Sequence, residues 1–143
     1  MTATSGSGAS PTALSDTVQS LRPFVPAKDF QASKSFYQDL GFELLHDGSD
    51  LALLSLGATT FLLQDFYAPG CAENFVVQLV VTDVAAWWGK LQPLDLAARH
   101  GVRAPVPPKP MPWNATVLFI FDPSGVMWQI TEYNRALATA AQS

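Results

Sequence analysis

Apolar positions along the chain change period several times, and each change marks an element. From Asp29, the residues Phe30, Ser33, Phe36, Tyr37 and Leu40 recur at the spacing of one helix face. Asp29 is a good N-cap for that helix, and Gly41 is a natural residue just past its end. Upstream, Val18 to Val25 suits a strand, with Pro23 and Pro26 arguing for an edge position or an early stop. Downstream, FELLHDGSDLALLSLGATTFLLQDF predicts three strands at about 42–47, 50–56 and 59–66. Asp47-Gly48-Ser49 and Gly57-Ala58 supply the turns.

The same order then returns. NFVVQLVVTD predicts a strand at about 75–82, and Asp83 caps a helix carrying Trp87, Trp88 and Leu91. Pro93 kinks or restarts that helix, which ends at Arg99-His100-Gly101. A short strand at about 102–106 leads into PVPPKPMPWN, which its prolines predict to be an extended loop. ATVLFIF and VMWQITEY are strands joined by the turn Asp122-Pro123-Ser124-Gly125. Strand, helix and three strands thus occur twice. One sheet face of each half takes a helix; the other must curl around a cavity or pack on a partner. Residues 1–17 are predicted as a disordered N-terminal tail, 18–133 as the domain (modules 18–67 and 75–133), and 134–143 as a C-terminal tail. There, RALATAAQS either extends a short helix or frays.

Composition narrows the partners. Charged residues make up only 14% of the 143, against 48% hydrophobic, and so sparing a surface favours a homo-oligomer. Twelve acidic residues outnumber eight basic ones, and no basic run exists, which argues against nucleic acid. No apolar segment is long enough for a bilayer, and the N-terminus, lacking a basic n-region before an apolar core, is not expected to be a signal peptide. Cys71 is the single cysteine; it fits a reducing cytoplasm and reads as an inert loop thiol. No nucleophile–base pair is visible, and SGSGAS precedes no helix that would make it a phosphate loop.

KDFQASKSFYQDLGF, VTDVAAWWGKL and FDPSGVMWQITEY, in that order over roughly 20–133, resemble the vicinal oxygen chelate superfamily. That superfamily holds glyoxalase I, extradiol dioxygenases, fosfomycin-resistance enzymes and bleomycin-resistance proteins. The resemblance is closest to the metal-free bleomycin-resistance-like branch. It implies an α+β fold of two tandem βαβββ modules forming a cupped mixed sheet, helices on the outer face. It also implies a homodimer with sites in the cups or at the dimer seam. Catalytic members hold a divalent metal with His and Glu from four inner strands. Those slots fall here on Arg22, Gln64, Val76 (Val77 if the register slips by one) and Gln129. Valine has no donor atom, arginine stays charged, and a glutamine oxygen is a weak neutral ligand. No metal and no cofactor is therefore expected, and no catalytic residue is assigned. His46 reads as a surface strand residue and His100 as a helix-end partner.

Strand alternation sorts the side chains. With Gln64 facing the cup, Thr60, Leu62 and Phe66 do too; with Gln129, so do Met127, Thr131 and Tyr133. Phe61, Leu63, Trp128 and Ile130 then belong to the core, and the Val76 register turns Gln78 inward. The candidate ligand-binding residues are Arg22, Phe24, Gln64, Phe66, Gln78, Trp113, Met127 and Gln129. Their amides either hold a ligand by directional hydrogen bonds or satisfy each other and Arg22 in a closed core. Trp113 is either a lid over the cup or a plug in the dimer seam. Asp65, Tyr67 and Glu73 flank the mouth, as a mild attraction for a cation or as a solvated rim. The function expected is metal-independent sequestration of an aromatic or heteroaromatic small molecule. The alternatives are a metal-dependent lyase or dioxygenase with a non-standard ligand set around His46, and a metal-free enzyme using Arg22 and Tyr133.

Overall fold

A computed structural model describes residues 13–134, so the expectations for residues 1–12 and for RALATAAQS lie outside the described residues. The elements are β1 (Phe24–Pro26), α1 (Phe30–Leu40), β2 (Glu43–Asp47), β3 (Leu51–Leu56) and β4 (Thr59–Gln64). The second half repeats them as β5 (Val76–Val80), α2 (Val84–Leu91), α3 (Leu96–His100), β6 (Val106–Met111), β7 (Ala115–Phe121) and β8 (Met127–Tyr133). The α+β fold of two tandem βαβββ modules is present as two four-stranded sheets, ordered β1-β4-β3-β2 and β5-β8-β7-β6. In each sheet the first strand runs parallel to the last, and the other pairs are antiparallel.

Local chemistry sets the boundaries. The side chain of Asp29 accepts the Ala32 N–H at 3.1 Å, and that of Asp83 accepts the Ala86 N–H at 3.0 Å. Gly41 ends α1 at φ 111°, a conformation open to glycine, with its N–H on the Gln38 carbonyl. The sharp DPSG turn needs the same freedom at Gly125, φ 98°.

The two modules share one core. Phe61 of β4 and Trp128 of β8 meet with ring centroids 5.4 Å apart. Tyr37 of α1 lies 4.9 Å from Phe61 and 5.5 Å from Trp128, and Phe42 packs on both. Edge-to-face contacts among four large rings add to the burial of their area. The helix-bearing faces of the two sheets therefore point toward each other, with Tyr37 between them.

Three expectations fail locally. The strand foreseen at Val18–Val25 is only Phe24–Pro26, because Pro23 and Pro26 have no N–H for a ladder. Leu14–Thr17, placed in the disordered tail, forms one 3-10 turn. The proline-rich segment is not a loop: Val106–Met111 is β6, and no strand precedes it at 102–105. The prolines are tolerated because β6 is an edge strand whose register shifts between Val106 and Lys109, so several N–H groups are not needed.

Candidate functional site

Each sheet keeps one face out of the core. In β4, Phe61 and Leu63 are buried, so Thr60, Leu62 and Gln64 lie on the open face. Phe24 pairs with Leu62 in register and is 50% exposed. Arg22 donates from Nε to Thr60 Oγ1 at 3.2 Å, which ties the segment before β1 to this face. Phe66 lies two residues past the end of β4 and is 52% exposed. Arg22, Phe24 and Gln64 are thus strung along the open face of β4, Arg22 beside Thr60 near its start and Gln64 at its end, with Phe66 just beyond.

In the second sheet Trp128 and Ile130 are buried, which turns Met127, Gln129 and Tyr133 to the open side. Thr131 shares their alternation but, against expectation, is fully buried, its hydroxyl donating to the Gln129 carbonyl at 3.2 Å. Val76 pairs with Met127 and Gln78 with Gln129, so Val76, not Val77, holds the inner register. The Tyr133 hydroxyl donates to Gln78 Oε1 at 3.2 Å. On β7, Phe119 sits opposite Gln129 and Phe121 opposite Met127. Lys109 Nζ lies 5.7 Å from the Phe119 ring, and the Arg103 guanidinium 4.3 Å from the Phe121 ring.

The eight candidate residues do not form one cup within the chain. Phe61 and Trp128 touch across the core, and side chains alternate along each strand. The face of Gln64 and the face of Gln129 are therefore on opposite sides of the molecule. Nor do the three amides satisfy one another in a closed core: Gln64 and Gln129 are half-buried and Gln78 is exposed. Trp113 is in the three-residue turn between β6 and β7, beside Asn114 at φ 62°, and is 41% exposed. It is a hairpin-tip residue instead of part of a long, proline-stiffened loop.

The rim is not the acidic mouth that its residues suggest. Tyr67 donates to Glu73 Oε2 at 2.7 Å, and Lys28 Nζ stands 5.2 Å from the Tyr67 ring. The Tyr67 hydrogen bond, assisted by Lys28, holds the Glu73 carboxyl below its usual value, and the same bond pushes Tyr67 up. Beside this pair a cavity of about 460 Å³ is lined by Lys28, Glu73, Arg103, Phe121 and Met127 among others.

Behind Gln129 lies a buried polar chain that sequence reading missed. The Trp128 indole N–H donates to the Tyr37 hydroxyl at 2.9 Å, and that hydroxyl donates to Asp122 Oδ2 at 2.6 Å. Asp122 Oδ1 accepts the backbone N–H groups of Ser124 at 2.8 Å and Val126 at 2.9 Å. Burial pushes the Asp122 carboxyl up against these hydrogen bonds, and burial together with the neighbouring Asp122 carboxylate pushes the Tyr37 hydroxyl up as well. The only available signal was an Asp opening a turn. Its side-chain partner, Tyr37, is 85 residues away and follows no short motif.

Metal chemistry does not fit these residues. The four slots are Arg22, Gln64, Val76 and Gln129, which offer no anionic or imidazole donor. His100 Nε2 is 2.8 Å from Asp39 Oδ2 and packs on Phe36, while His46 is exposed on β2. Among the described residues no three His, Cys, Asp or Glu side chains come together.

Paired βαβββ modules with open, amide-bearing sheet faces define a glyoxalase-like domain. The model of the Glyoxalase/Bleomycin resistance protein/Dioxygenase superfamily matches residues 19–130, and the chain belongs to that superfamily. Its fold is similar to that of a bleomycin-binding protein complexed with bleomycin: 21% identity, TM-score 0.69, 82% of this chain and 100% of that one. It is also similar to TnmS3, an antibiotic binding protein from Streptomyces sp. CB03234, at 24% identity, TM-score 0.65, covering 82% and 97%. Lactoylglutathione lyase from Agrobacterium tumefaciens follows the same fold at 18% identity, TM-score 0.60, covering 86% and 95%. A search of curated proteins gave no match.

Proposed function

We propose that the chain binds and sequesters an aromatic or heteroaromatic small molecule, without metal, in cups completed by a second copy of itself. Each cup joins the Gln64 face of one protomer to the Gln78–Gln129 face of the other. The observation that carries this is the pair of open faces on opposite sides of one core. Both expose apolar area that a monomer would leave wet: Phe24 at 50% and Phe66 at 52% on one, Val76 at 51% and Val80 at 49% on the other. A two-fold dimer that brings unlike faces together generates two equivalent cups. Neutral amides in an apolar wall hold a ring nitrogen or carbonyl without the cost of a buried charge. The likeness to bleomycin-binding and antibiotic-binding proteins supports the same reading.

The likeness to lactoylglutathione lyase argues for an enzyme of the superfamily, but the donor set opposes metal chemistry. The single thiol suits a reducing compartment, the cytoplasm. No helix among the described residues is long and apolar enough to cross a membrane. Light scattering with a ligand-dependent thermal-shift screen tests the proposal. A dimer whose melting temperature rises with planar aromatic compounds supports it; a monomer unaffected by any of them overturns it.

A further inference from the structure

Charge is distributed unevenly over this acidic chain. Twelve acidic residues face eight basic ones, yet the open-face positions of β5, β7 and β8 hold no Asp or Glu. Glu132, the one carboxylate of β8, is on the other side: its Oε1 accepts the Val84 N–H of α2 at 2.9 Å. Asp122 is buried and bonded to Tyr37, and Glu73 at the rim is bonded to Tyr67 with Lys28 nearby. Two cations do reach the face, Arg103 over Phe121 and Lys109 over Phe119. The ion pairs among the described residues are Lys34–Asp47, Arg99–Asp39 and His100–Asp39, so neither Arg103 nor Lys109 is neutralised by a carboxylate. Arg22, on the face that would complete the cup, is also outside those pairs and bonds a neutral threonine.

We infer that the cup selects an aromatic ligand carrying an anionic group, a carboxylate or sulfonate, over a cationic one. The inference rests on reading these faces as a ligand cup and adds the charge of what fills it. A guanidinium centred 4.3 Å from the Phe121 ring leaves N–H groups free to meet two oxygens of one anion. Gln129 then lies one strand away from β7, and Gln78 two, to hold polar atoms of the ring system. A basic planar ligand would meet two like charges, and Glu73, the exposed carboxylate of the adjoining cavity, is already bonded to Tyr67 with Lys28 nearby.

Three probes that share a ring and differ in charge test this on the full chain by calorimetry: 1-naphthoate, 1-naphthalenemethanol and 1-naphthylmethylammonium. Naphthoate should bind about tenfold or more tightly than the ammonium, with the alcohol between, and high salt should narrow the gap. In the variant with Arg103→Gln and Lys109→Gln, naphthoate should weaken to about the level of the alcohol. Arg103→Lys should keep most of the preference, which separates lost charge from a damaged fold. An ammonium that binds as tightly as naphthoate, or a double variant that keeps the preference, overturns the inference. If all three bind alike and Gln129→Trp removes them, the cup stands and its charge selectivity falls. If none binds, the cup reading falls and the inference with it.

Discussion

The Tyr37 hydroxyl stands 2.6 Å from Asp122 Oδ2 while accepting the Trp128 indole N–H at 2.9 Å, and all three side chains are buried. The chain links α1, the DPSG turn and β8, so it fixes the strand that presents Gln129. The Trp128 N–H and the Tyr37 hydroxyl are bonded only within this chain, while Asp122 also accepts the Ser124 and Val126 N–H groups, so loss of either Tyr37 or Asp122 leaves buried groups unpaired.

Tyr37→Phe removes one oxygen and leaves the Asp122 and Trp128 groups without their partner. We expect a loss of about 1–3 kcal/mol in urea unfolding. Asp122→Ala should cost more, because it also frees the N–H groups of Ser124 and Val126. An unchanged midpoint for Tyr37→Phe would mean that water replaces the hydroxyl.

The pH dependence has a definite sign. Burial raises the folded-state value of Asp122 above its ordinary 3.8. A group raised on folding contributes stability that is fully present below the unfolded value and is lost as pH rises through the folded one. The unfolding free energy of the wild type, relative to Asp122→Asn, should therefore fall as pH rises from about 3.8. Tyr37 is raised from 10.0 and has the same sign, so a further loss is expected on the alkaline side. If the difference grows with pH through the acid range, hydrogen bonding outweighs burial at Asp122.

Helix caps offer a simpler check. Asp29→Ala removes the acceptor of the Ala32 N–H and should cost about 1 kcal/mol, as should Asp83→Ala at α2. Thermal unfolding monitored by circular dichroism measures both.

These caps, together with the alternation of Phe61 and Leu63 and of Trp128 and Ile130, made most of the fold legible, because they are local and periodic. The edge strand β6 was not, since four prolines in the segment Pro105 to Pro110 mask a strand that needs few ladder bonds. The site was legible face by face only. Alternation says that Gln64 and Gln129 avoid the core, but which way each sheet turns is decided by Phe61 meeting Trp128, a contact 67 residues apart. The Tyr37–Asp122 bond was hidden for the same reason.

Gln129→Leu and Gln78→Leu keep approximate volume while removing hydrogen-bond capacity. Each should weaken the best-binding naphthalene probe about tenfold and change stability by less than about 1 kcal/mol. Parallel titration and unfolding curves separate the two effects; stability that falls along with affinity would assign these amides to the fold.

The most direct test of the shared cup is complementation between two defective copies. Gln64→Trp blocks one face and Gln129→Trp the other, so neither homodimer should bind the best probe. After mixing equal amounts and allowing subunits to exchange, half of the dimers are mixed, and each mixed dimer holds one intact cup. Calorimetry should then recover binding at about a quarter of the wild-type sites. No recovery despite confirmed exchange, or full binding by either variant alone, would contradict a cup built from two copies.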